Sequence, residues 1–203
     1  MAVSSRQQRA ATARVILICH GSTEAVRAAK FPSDEPLDDP DLKTIKTLAD
    51  ALPQASQCWT GPERRTRQTA QALGLNARIE PLLRDCDYGA WAGRTFDDVH
   101  AHEPDVASAW LRDPAAAPHG GETIAAVIHR VGQWLAGERA RGQRAVAVTH
   151  PAIIRAAIVH AIKAAPQSFW RIDIAPLSVT RLSSQGGRWN LSAAGCMAIK
   201  KPS

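Results

Sequence analysis

Val15-Ile-Leu-Ile-Cys-His-Gly-Ser22 decides the architecture. Val15 to Cys19 is apolar without a break and rich in β-branched residues, the composition of a strand buried on both faces. The run stops at His20-Gly21, so the strand delivers an imidazole at its carboxyl end. Two later stretches repeat this grammar. Gln57-Cys-Trp-Thr60 reads as a short strand, and Gly61-Pro62 then opens a helix to Leu73 that carries Arg65 in its first turn. Ala145-Val-Ala-Val148 reads as another buried strand, followed by Thr149-His150-Pro151 and a helix bearing Ile153, Ile154, Ile158 and Ile162.

Working outward, Phe31 to Asp41 is dense in Pro and Asp and reads as a loop. Pro40 is expected to start a helix with Asp39 as its cap, because Leu42, Ile45, Leu48 and Leu52 recur at helical spacing. Residues 84–120 look loop-rich, with short helices near Phe96–His100 and Val106–Leu111. Glu122 to Ala136 is a stronger helical pattern. Ser178–Leu182 and Arg188–Ser192 flank a Gly186-Gly187 turn and predict a hairpin. Strands alternating with helices predict an α/β fold, a three-layer α/β/α sandwich whose mostly parallel sheet carries an antiparallel edge. We expect one domain over residues 14–203, with residues 1–13 as a frayed tail.

The totals exclude several classes. The chain has 203 residues and 45% apolar content, enough for one real core. Its net charge of +6 favours anionic partners, but the basic residues are dispersed and not interleaved with aromatics, which argues against nucleic acid. No apolar run approaches a membrane span. Cys19, Cys58, Cys86 and Cys196 lie far apart with no C-x-x-C pair, as expected of reduced thiols in a cytoplasmic protein. His100 and His102 form an H-x-H pair without a third ligand at fixed spacing, a poor metal signal. These two, with His119, His129 and His160, are expected at the surface or in local structure, with no metal and no cofactor.

Ligands of open α/β sheets bind beyond the carboxyl ends of strands, where helix N-termini offer free N–H groups to phosphate. His20, Arg65 and His150 all map to such junctions, which makes a phosphate site from the residues alone.

At these junctions the sequence resembles the histidine phosphatase superfamily, with its phosphoglycerate mutase-like fold. His20-Gly21-Ser22-Thr23 resembles the second half of that family's Arg-His-Gly signature. Gly61 to Ala70, Gly-Pro-Glu-Arg-Arg-Thr-Arg-Gln-Thr-Ala, is similar to its Ser-Pro-Leu-x-Arg-Ala-x-Gln-Thr-Ala segment. Leu83 to Gly93 resembles Leu-x-Glu-x-x-Phe/Tyr-Gly-x-Trp-Glu-Gly. Gly120-Gly121-Glu122-Thr123 and Val148-Thr149-His150 are similar to its later elements. The resemblance implies a nucleophilic His20 that forms a phosphohistidine, a clamp of Arg65 and His150 on the phosphoryl oxygens, and Asp85 as acid and base. It implies a small phosphate ester as substrate and no metal. Substrate contacts are expected from residues 27–41 and 86–120.

The departures from that pattern are equally specific. Cys19 stands where the family has a phosphate-binding arginine, and a thiol supplies neither charge nor a fork of donors. Cys19 is not a cysteine-phosphatase nucleophile either, since the arginine such chemistry needs six residues on is Ala25. Arg27 or Lys30 is the expected replacement cation. Asp85 is one methylene shorter than the family's Glu, with Asp87 and Glu122 the nearest other acids. The rival reading is a degenerate member that binds a phosphorylated ligand or a protein partner without turnover.

Overall fold

A computed structural model describes residues 12–38, 42–137 and 144–196. The proposed frayed tail falls outside them for residues 1–11, as do Asp39 and Pro40, the expected cap and first residue of a helix. The strands are β1 (Thr12–Cys19), β2 (Gln57–Thr60), β3 (Arg78–Ile79), β4 (Arg144–Thr149), β5 (Val179–Gln185) and β6 (Arg188–Cys196). They form one sheet in the order β3-β2-β4-β1-β5-β6. β3, β2, β4 and β1 run parallel, and β5 and β6 complete an antiparallel edge. Gly186 and Gly187 join the last two with φ of 62° and 82°, which a two-residue hairpin turn between right-twisted strands requires.

The helices are α1 (Glu24–Arg27), α2 (Leu42–Ala51), α3 (Arg64–Ala72), α4 (Phe96–His102), α5 (Pro104–Arg112), α6 (Ile124–Ala136) and α7 (Pro151–Ile162). On one face of the sheet, Ile45 and Leu48 of α2 and Ala70 of α3 pack on Ile16, Ile18, Val146 and Val148. On the other, Val127, Val131 and Trp134 of α6 and Ile153 and Ile154 of α7 pack on Val15, Leu17, Ala145 and Ala147. Alternate residues of β1 and β4 thus feed opposite layers, and the three-layer α/β/α sandwich follows. Leu42 departs from the predicted stripe, at 67% exposed in the first turn of α2.

The short strand β3 and α1 were not legible in the sequence. β3 has two exposed residues and no apolar pattern, and only its pairing with Trp59 and Thr60 makes it a strand. The helix expected from Pro62 begins at Arg64, with Glu63 as N-cap.

Candidate active site

β2, β4 and β1 are neighbours, so their carboxyl ends bring Gly61, His150 and His20 to one crevice. His20 is 2% exposed, His150 0%, Arg65 1% and Asp85 9%. The two imidazole rings lie 5.3 Å apart, edge to face. His20 Nδ1 is 2.7 Å from the Gly21 carbonyl, which can only accept, so Nδ1 carries the proton and Nε2 holds the lone pair. Burial, then the nearby charges of His150 and Arg65, push the His20 pKa down to about 3. The ring is therefore neutral at ordinary pH, the state in which Nε2 is a nucleophile.

Arg65 projects from the first turn of α3. It donates from Nη1 to the Ser33 carbonyl at 2.6 Å and from Nη2 to Asp85 Oδ2 at 2.7 Å. Glu35 stands 3.7 Å from the same guanidinium. Arg65 Nε and His150 Nδ1 are both buried and lack a hydrogen-bond partner. His150 Nδ1 is 3.4 Å from Asp85 Oδ2, without hydrogen-bond alignment. Two buried nitrogens without partners beside a neutral imidazole suit the oxygens of an anion.

Asp85 accepts from the Cys86 N–H at 2.8 Å as well as from Arg65. Burial alone would raise its pKa, but His150, Arg65 and His20 outweigh it and hold the carboxyl below its ordinary value. The segment carrying Asp85 is braced from α6. Buried Arg130 donates to the carbonyls of Leu82 and Asp85 at 2.8 and 3.0 Å and pairs with Glu122 at 2.8 Å. Glu122 is thereby engaged as a brace. Asp87 accepts from the Gly89 N–H and shapes the loop.

Glu63 is the site residue that the sequence did not reveal. Its Oε2 lies 2.7 Å from His150 Nε2, and its Oε1 accepts the Asp85 N–H at 2.9 Å. One carboxylate therefore ties the second histidine to the candidate acid. The His150 hydrogen bond and the Asp85 N–H outweigh burial and hold Glu63 below its ordinary pKa. An acid at a helix start reads from sequence as a cap, yet the side chain makes no cap bond, and Asp34 takes the Arg64 N–H at 2.7 Å instead. Gly61 makes room, since a Cβ there would sit 3.0 Å from Glu63 Oε2 and 3.1 Å from His150 Nε2.

The remaining candidates lie elsewhere. Arg27 is 62% exposed and pairs with Asp38 at 3.1 Å, and Lys30 pairs with Glu24 at 2.7 Å. Neither forms a hydrogen bond or ion pair with His20, Arg65, Asp85 or His150. Cys19 is fully buried in the core on the α6–α7 side. Burial, then Asp85, push its thiol pKa up, so it is neutral, although Arg155 and Arg65 are near enough to oppose the shift. His119, expected at the surface or in local structure, is buried against Trp91, Trp110 and Tyr88. Among the described residues no group of three or more His, Cys, Asp or Glu could hold a metal ion, and no helix is long and apolar enough to cross a membrane.

Residues 15–196 match the histidine phosphatase superfamily (branch 1). A bifunctional protein of Mycobacterium tuberculosis is 26% identical over 191 residues, covering 88% of this chain but 52% of that protein. The chain thus spans about half the length of that relative. Phosphoserine phosphatase 1 of Hydrogenobacter thermophilus is 28% identical, covering 85% of this chain and 88% of that protein. Among solved structures, mycobacterial glucosyl-3-phosphoglycerate phosphatase complexed with VO3 superposes with a TM-score of 0.77 at 26% identity, over 91% of this chain and 99% of that one. The alpha-ribazole phosphatase of Shigella flexneri gives 0.79 at 21% identity, over 94% and 100%, a likeness of fold. With the junction motifs in order on the expected elements and the match running through almost the whole described chain, the protein belongs to the histidine phosphatase superfamily.

Proposed function

We propose that the chain is a metal-independent phosphomonoesterase acting through His20 on a small phosphate ester. One observation carries the reading: the Nδ1-bonded, neutral His20 faces Arg65 and His150, which retain buried nitrogens without partners. In the first step His20 Nε2 attacks phosphorus, the P–N bond forms and the ester P–O bond breaks. The leaving oxygen takes a proton from Asp85. In the second step Asp85 accepts a proton from water, the water oxygen attacks phosphorus, and His20 leaves with its lone pair restored. Arg65 and His150 hold the phosphoryl oxygens throughout, which is the greater part of phosphoryl-transfer catalysis.

Asp85 is ionised while it rests on Arg65. A phosphate that takes over the Arg65 and His150 nitrogens brings negative charge beside Asp85 and raises its affinity for a proton. Glu63, by accepting from His150 Nε2, fixes the orientation of that ring. Relatives named for phosphoserine and for glucosyl-3-phosphoglycerate support a small phosphorylated metabolite as the substrate class.

The 2.7 Å Arg65–Asp85 pair favours a second reading, in which the site binds a phosphorylated ligand or partner without turnover. Hydrolysis of an activated aryl phosphate in excess chelator decides between them. The enzyme reading expects turnover that persists in chelator and disappears in His20→Ala. Vanadate binding without turnover supports the binder, and loss of turnover in chelator removes the metal-free mechanism. Arg27 remains our proposed substitute for the missing signature arginine, reached by leaving Asp38. Arg27→Ala should then depress turnover about as severely as Arg65→Ala, and a silent Arg27→Ala assigns it to Asp38 alone.

A further inference from the structure

The opposite end of the sheet, where β1 and β4 begin, carries a second concentration of positive charge. Arg14 and Arg144 sit side by side in the β1–β4 register. Arg181 faces Ile16, two residues along β1 from Arg14, so all three arginines rise from one face of three adjacent strands. Helix α2 ends at Ala51, leaving this part of the face open, and residues 50–53 form the opposing wall. The result is a cleft of about 430 Å³, within the range of small-molecule sites.

Its charge is unbalanced. Among the described residues lining it Asp50 alone is acidic, and none of the three arginines makes an ion pair with a described residue. Arg144 makes a 3.4 Å hydrogen bond to the Gln54 carbonyl. Like charges at facing strand positions repel each other, and an arginine fork is matched to carboxylate or phosphate. Ile16, Leu52 and Pro53 add apolar wall. Cys19 lies five positions along β1 from Arg14, roughly 17 Å of strand, so the cleft is distinct from the His20 crevice.

We propose that this cleft binds a small organic anion with an apolar body, its phosphate or carboxylate head held by Arg14, Arg144 and Arg181. Anilinonaphthalene sulfonate, an aromatic anion, is the probe, titrated by fluorescence into the full chain. One probe should bind per chain, more weakly as salt rises. The double variant Arg14→Ser/Arg181→Ser should weaken binding at least 10-fold, about 1.4 kcal/mol, while the melting temperature holds. Arg181→Ser alone should show an intermediate loss and serves if the double variant folds poorly. Displacement by phenylphosphonate or by benzoate identifies the head group. Binding unchanged in the arginine variants or no binding overturns the proposal. Because the arginine variants report on the cleft directly, the result stands whether or not the phosphatase reading does.

Discussion

Glu63 contacts both His150 and the backbone of Asp85, so its loss should disturb two groups together. Glu63→Gln keeps the shape and removes the charge. We expect kcat/KM to fall roughly 10- to 100-fold, the scale of a small misplacement of reacting groups, with weaker vanadate binding. Unchanged vanadate affinity and turnover would reduce Glu63 to a loop residue. Asp85→Asn tests the proton step separately. Poor leaving groups need that proton, so their hydrolysis should slow roughly 10²- to 10⁴-fold while activated aryl phosphates lose far less. Equal losses on both substrates would leave Asp85 a structural partner of Arg65. These two carboxylates also show how far local sequence reaches. Asp85 is found from its place in a motif, whereas Glu63 acts across 87 residues, and the Gly61 that admits it reads only as a turn.

At the scale of elements, α6 braces the 82–86 segment through Arg130. Arg130 interrupts the apolar face of that helix and is 6% exposed, spending its donors on Leu82, Asp85 and Glu122. Arg130→Met should leave Glu122 without its main partner and two carbonyls short of donors. A loss of about 3 kcal/mol in unfolding free energy is expected, since breaking a buried pair strands the remaining charge. Chemical denaturation measures it, and unchanged stability would show the brace to be dispensable. The helix itself was plain from its apolar spacing, and it begins at Ile124 behind a Thr123 cap. The brace was not, because a lone arginine in a helix reads as a solvated one until the strand–loop segment is laid against it.

For the whole molecule, burial sets the response to acid. His20 refuses a proton in the fold down to about pH 3, whereas the unfolded chain takes one near the ordinary histidine value. Between those limits the unfolded state binds more protons, so stability falls as pH falls. Asp85 and Glu63, held below their ordinary values, act in the same direction at lower pH: their stabilisation is present above the unfolded carboxylate range and is lost as pH drops through the folded one. The melting temperature should decline from pH 7 to pH 4, and His20→Gln should flatten the upper part of that decline. A decline of equal slope in the variant would place the acid sensitivity elsewhere. The layered α/β sandwich was already legible in the order of residues, because the branched apolar runs and the 3.6-residue stripes are local patterns that each demand a particular burial. That order also marked His20, Arg65 and His150, because all three stand at strand-to-helix junctions. That Glu63 couples His150 to Asp85, that Arg27 rests on Asp38, and that three arginines share a cleft emerges only in the folded chain. Those are contacts between distant segments, set by sheet order and register, which no local pattern encodes.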